Sequence, residues 1–316
     1  MKDNAPGRAC PLSYRYGATA LARCRERDAD TLYVIGGLYG NRPALAAIEA
    51  LAAGERGPVT LCFNGDFNWF NVDDDGFAAI NSAVLQHDAC LGNVEAELTT
   101  PGADAGCGCA YPESVDSGVV ERSNAIHARL KATAQRHPEL LARLRDLPMV
   151  RRYRVGDSIV GVVHGDADSL AGWRFDVAAL DDDDNRQWLA AAFAQAGADV
   201  FAGSHTCLPA LRRFAFAAQD RIVINNGAAG MPNFAGVRCG LITRIATQPG
   251  THPPTYGIVR DGICIEALAV PYAADAWEGQ FLANWPAGSA AHTSYFARIT
   301  EGPDFSPALA QRFDRS

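Results

Sequence analysis

Short β-rich runs in this chain end, one after another, in glycine-bearing polar loops, and this repeated grammar constrains the fold more than any other feature. Thr31-Leu32-Tyr33-Val34-Ile35 runs into Gly36-Gly37-Leu38-Tyr39-Gly40-Asn41, after which Pro43 opens an apolar-periodic stretch over 44–53. The run 59–63 ends at Asn64-Gly65-Asp66, a helix is expected over 77–86, and the run 89–91 ends at Gly92-Asn93. Further on, 158–163 delivers His164-Gly165-Asp166, and 199–202 leads into Gly203-Ser204-His205-Thr206-Cys207. The run 221–224 precedes Asn225 to Gly230, 241–246 reads as a strand, and Asp261-Gly262 closes a hairpin between 255–259 and 263–270. Strands alternating with helices predict a layered α/β domain whose site lies in the loops at the strands' carboxyl ends.

Other segments are less regular. A Gly/Asp/Pro/Cys-rich loop fills 99–118, Ser123 is placed as the cap of a helix running to Ala134, and a second helix is expected over 138–147. The aspartates 181–184 read as a solvated turn before a helix over 188–196, and the last 45 or so residues resist assignment. The expected division is an N-terminal segment 1–30, a domain over 31–272 with an insertion at 99–150, and an extension over 273–316.

Charge narrows the partners. With a formal net charge of -8 and no dense basic cluster, the chain is expected to bind a small molecule rather than nucleic acid. The first thirty residues hold no apolar run of signal-peptide length and eighteen apolar residues never run together, so a cytoplasmic protein without a membrane partner is expected, a homodimer being allowed. The nine cysteines have no repeated spacing, which predicts reduced thiols; Cys24, Cys62, Cys90, Cys239 and Cys264 read as small core hydrophobes.

Asp66, Asn93, His164 and His205 stand at four successive strand ends. A carboxylate, an amide oxygen and two imidazoles form a mixed set suited to Zn, Fe or Mn. In order and context these loops resemble the calcineurin-like metallophosphoesterases, whose signature runs Asp-x-His, Gly-Asp, Gly-Asn-His-Asp/Glu, His, Gly-His-x-His. Gly65-Asp66, Gly92-Asn93-Val94-Glu95, His164-Gly165 and Ser204-His205-Thr206-Cys207 match the second to fifth blocks. Gly40-Asn41-Arg42-Pro43-Ala44-Leu45 and Asn226-Gly227-Ala228-Ala229-Gly230 match two flanking loops. The resemblance covers roughly 31–272 and implies an α/β/β/α sandwich of two mixed sheets flanked by helices, together with hydrolysis of a small phosphoester.

The departures fall on one side of the implied centre. One metal of the family would be held by Asp66, Asn93, His164 and His205, all present here. The other would use three further positions, occupied here by Gly37, Tyr39 and Cys207, and Val94 stands where the family has the histidine usually assigned to protonating the leaving group or holding the phosphate. This segregation favours one ion, with two possible if Cys207 and Tyr39 act as replacement ligands. Tyr39, Asn41, Arg42, Trp69 and Glu95 are the expected substrate-side residues, Glu95 serving alternatively as an acceptor behind a ligand. Cys107 and Cys109, and the aromatics Tyr111, Trp173 and Phe175, are further candidates near the site. Two other readings keep the fold: iron-dependent redox or rearrangement chemistry, and a metal-stabilised binding module.

Overall fold

The computed structural model describes residues 5–100, 105–216 and 219–313. Its strands are β1 (Glu26–Asp28), β2 (Thr31–Ile35), β3 (Val59–Asn64), β4 (Asp88–Cys90), β5 (Val150–Val155), β6 (Ser158–Val163), β7 (Val200–Gly203), β8 (Pro209–Phe216), β9 (Gln219–Asn226), β10 (Gly240–Ala246), β11 (Tyr256–Arg260), β12 (Ile263–Val270) and β13 (Gln311–Phe313). They form a six-stranded sheet, β11-β12-β10-β2-β3-β4, and a seven-stranded sheet, β1-β5-β6-β7-β9-β8-β13. Both are mixed. β2, β3 and β4 run parallel in one, and β6, β7 and β9 in the other.

The period-2 alternation of a strand assigns its side chains to two layers. In β2, Leu32 and Val34 face the other sheet, where they join Val160, Val162, Val200 and Ile224 in one buried cluster. Tyr33 and Ile35 face the helices Arg42–Ala53 and Asp74–Val84 through Ile48, Phe77 and Ile80. On the far side, Phe201 and Val223 pack under the helix Asp183–Ala196 through Leu189 and Phe193. The result is the α/β/β/α sandwich expected from the sequence.

Several element boundaries differ from that expectation. The helix placed after Ser123 begins about two turns earlier, at Ser117, because the side chain of Asp116 accepts from the Gly118 N–H; Ser123 is buried mid-helix against the Tyr111 hydroxyl. The aspartate run starts a helix: Asp182 caps it, and Asp183 and Asp184 occupy its first turn, where carboxylates complement the helix dipole. Three arginines disguised β5, yet Arg152 and Arg154 turn outward to Glu26 while Val150, Tyr153 and Val155 point in. The C-terminal residues form the helices Ala274–Asn284 and Ala290–Glu301, which bury Trp277, Phe281 and Ile299 in the core beside β2 and β3. Among the described residues, no helix is long and apolar enough to cross a membrane.

Candidate metal centre

The two sheets meet at the carboxyl ends of their parallel strands, and Asn64 ties them together. Its Nδ2 donates to the Val163 carbonyl at 2.7 Å, while its own carbonyl accepts from Ser204 Oγ at 3.1 Å and lies 2.8 Å from His164 Nδ1. The loops that follow interlock through glycine. A Cβ on Gly65, which sits at φ 74°, would come within 2.5 Å of Gly92 Cα and 2.7 Å of His164 Nδ1. A Cβ on Gly92 would lie 2.2 Å from Asp66 Oδ1.

Glu95 fixes this arrangement from behind. Its buried carboxylate accepts from the backbone N–H groups of Asp66 (2.8 Å), Asn68 (3.2 Å) and Gly92 (3.3 Å) and from Asn68 Nδ2 (3.2 Å). Burial first, and the charge of Asp66 second, push its pKa up to about 7. It therefore holds the Asp66 loop rather than orienting a histidine.

Around His164 Nε2 converge three further polar atoms: Asn93 Oδ1 at 3.1 Å, Asp66 Oδ1 at 3.3 Å and His205 Nδ1 at 3.3 Å. The partners of these groups fix what each presents. His164 Nδ1 faces the Asn64 carbonyl and therefore carries the proton, leaving a lone pair on Nε2; His205 Nε2 faces the Cys109 carbonyl at 3.1 Å, leaving a lone pair on Nδ1. Asn93 donates its Nδ2 to the Cys107 carbonyl at 2.8 Å, so Oδ1 points inward. In these tautomers four lone-pair atoms face one another, an arrangement that a cation relieves.

The protonation energetics of the three titratable groups follow from burial and from one another. Burial pushes His205 down to about 4, with His164 adding to the effect, so its ring is neutral. For Asp66, burial opposes the charge, but His164 prevails and holds the carboxyl below its ordinary range. For His164, burial likewise opposes the charge, but Asp66 prevails and raises its pKa. Asp66, His164 and His205 are the buried group among the described residues whose donor atoms all lie within 4.8 Å of one another. Asn93 completes the four-donor set, which suits a divalent transition metal.

The altered half is coherent. Gly37 leaves room for the ring of Tyr39, since a Cβ at 37 would lie 2.8 Å from Tyr39 Cζ. The Tyr39 hydroxyl meets Cys207 Sγ at 3.0 Å, and Cys207 stays outside the metal-donor group. Burial raises the thiol's pKa, Arg298 and Tyr39 opposing. Tyr39, Asp66 and Cys207 all sit at left-handed φ values of 57°, 53° and 60°. Such strain, about 1–3 kcal/mol per residue, persists where surrounding structure dictates the backbone, and it clusters at functional sites.

Beside the centre lies a cavity of about 180 Å³, walled by Tyr39, Trp69, Tyr111, Trp173 and Tyr295 together with Val94, Cys109, Thr206 and Cys207. Of the residues expected on the substrate side, Tyr39 and Trp69 line it. Asn41, Arg42 and Glu95 do not. Asn41 is buried, capping its helix through the Ala44 N–H and donating to the Gly230 carbonyl, and Arg42 is an exposed first-turn residue of that helix. Phe175 is core, packed on Phe201 and Trp188, whereas Tyr111 and Trp173 belong to the wall. Tyr295 is an addition that the sequence did not signal, because it arrives from the unassigned C-terminal stretch. Cys107 and Cys109 act through their carbonyls, which hold Asn93 and His205.

Solved structures that share this architecture include two that cover most of the chain. A metallophosphoesterase from Sphaerobacter thermophilus is 18% identical, with 87% of this chain and 100% of that one covered and a TM-score of 0.56. A hypothetical protein from Pyrococcus horikoshii OT3 is 16% identical, over 87% and 99% of the respective chains, with a TM-score of 0.53. No family model and no curated protein matches the sequence. These likenesses show the fold, a metallophosphoesterase-like sandwich, as the ordered motifs implied.

Proposed function

We propose that this chain is a metal-dependent hydrolase of a small phosphoester, working with one divalent ion of Fe, Mn or Zn held by Asp66, Asn93, His164 and His205. The observation that carries the reading is the convergence of four inward lone pairs, each aimed by a backbone carbonyl or a loop contact, at the mouth of a cavity. An ion bound there supplies charge for a phosphoryl oxygen and acidifies water.

The protein's own groups limit the reaction further. Val94 lines the cavity where the resemblance places a histidine, so no imidazole stands ready to protonate a leaving group there, and esters of acidic alcohols are the suitable substrates. The Tyr39 hydroxyl and Cys207 thiol bond to each other and keep their protons, since burial raises both pKa values.

A panel of phosphomonoesters and diesters assayed with Fe, Mn and Zn tests the proposal. Hydrolysis that disappears on chelation and returns with metal is expected; no activity above the metal-free control with any ester overturns it. The redox alternative draws on the Tyr39–Cys207 pair, and zinc at full occupancy in freshly purified protein counts against it.

A further inference from the structure

The cavity wall says what kind of ester fits. Its five aromatic side chains have their polar tips largely occupied within the protein: the Tyr39 hydroxyl by Cys207, the Tyr111 hydroxyl by Ser123 Oγ at 3.1 Å, and Trp173 Nε1 by the Cys109 carbonyl at 3.0 Å. What remains for a ligand is ring surface. Trp173 stands edge-on to the metal ligand His205, with centroids 5.3 Å apart, and Tyr111 lies 5.9 Å from Trp173. Trp69 and Tyr295 meet edge to face at 6.5 Å. A volume of about 180 Å³ is on the scale of the apolar cavities, about 150 Å³, that accept benzene.

Charge decides between candidates for that space. Among the described residues lining the cavity none is lysine or arginine, and the carboxylate among them is Asp66. Arg298, whose field reaches Tyr39 and Cys207, spends donors on the carbonyls of Cys207 and Pro232. Among the groups that line the cavity, a doubly charged ion offset by Asp66 leaves one positive charge. A singly charged anion neutralises it, whereas a dianion leaves a surplus buried negative charge and a cationic ligand is repelled.

We infer that this site selects a singly charged phosphodiester bearing one flat, uncharged aromatic group, with that group held between the rings of Trp69, Tyr111, Trp173 and Tyr295 and the phosphoryl oxygen directed to the centre. The inference rests on the metal reading above.

Binding, not turnover, tests it. Manganese-loaded protein is titrated by calorimetry with three non-hydrolysable ligands: the monomethyl ester of phenylphosphonic acid, phenylphosphonate at a pH where it is a dianion, and the monomethyl ester of methylphosphonic acid. The first is expected to bind at least about tenfold more tightly than the methyl compound, the scale of one aromatic stacking contact, and more tightly than the dianion. Tyr295→Leu should erase most of the preference for the phenyl group and Tyr295→Phe should keep it, with melting curves of both variants confirming a folded chain. Equal or tighter binding of the dianion, equal binding of the methyl compound, or no binding of any of the three overturns the inference. Because no bond is cleaved, a chain that hydrolyses esters but ranks these ligands otherwise loses this inference alone. One that ranks them as expected without hydrolysing any ester loses only the hydrolase reading.

Discussion

Replacing His164 with alanine is expected to lower metal affinity by more than about 100-fold and to abolish metal-dependent hydrolysis while leaving the chain folded. Changing an outer partner of a ligand typically costs about 10–100-fold, and His164 is the atom on which the other three donors converge, at 3.1–3.3 Å. Its removal also relieves a polar burial, because the ring lies 1% exposed. Calorimetric metal titration and circular dichroism on the same sample separate the two effects. Wild-type metal affinity in the alanine variant would show that the convergence is ordinary polar packing.

The second large effect falls on a residue with no side chain. Gly92→Ala places a methyl 2.2 Å from Asp66 Oδ1 and 2.5 Å from Asp66 N, both fixed by Glu95 and Val94. The Asp66 loop must move, and overpacking of this kind costs about 1–3 kcal/mol. Because the atom struck belongs to the candidate metal set, the thermal midpoint and the metal affinity are expected to fall together, and added metal should recover less stability than in the wild type. A variant with unchanged metal affinity would mean that Asp66 does not contribute a donor.

Much of the donor set was legible in the sequence for a simple reason. Each donor stands within three residues of the end of a strand, and strands such as β2 and β6 are continuous apolar runs whose ends are easy to find. The cavity wall was less legible. Trp69 and Tyr39 sit in motif loops, whereas Tyr295 comes from a helix, Ala290–Glu301, whose partly buried face carries no motif. Asn41 and Glu95 also stood in motif loops, and there the sequence could not tell a residue that touches a ligand from one that holds the loop. Only geometry shows Glu95 gathering three backbone N–H groups and Asn41 bridging its helix cap to Gly230. Similarly, Gly37 and Tyr39 read as two separate losses, but the ring of Tyr39 fills the space that a side chain at 37 would need.

The central claim is one metal ion per chain, held by Asp66, Asn93, His164 and His205. Elemental analysis of protein purified without added metal, followed by titration to saturation, tests it most directly. One ion per chain is expected, unchanged in a Cys207→Ala variant and lost in Asp66→Ala. Saturation at two ions, or an ion retained by Asp66→Ala, would contradict it.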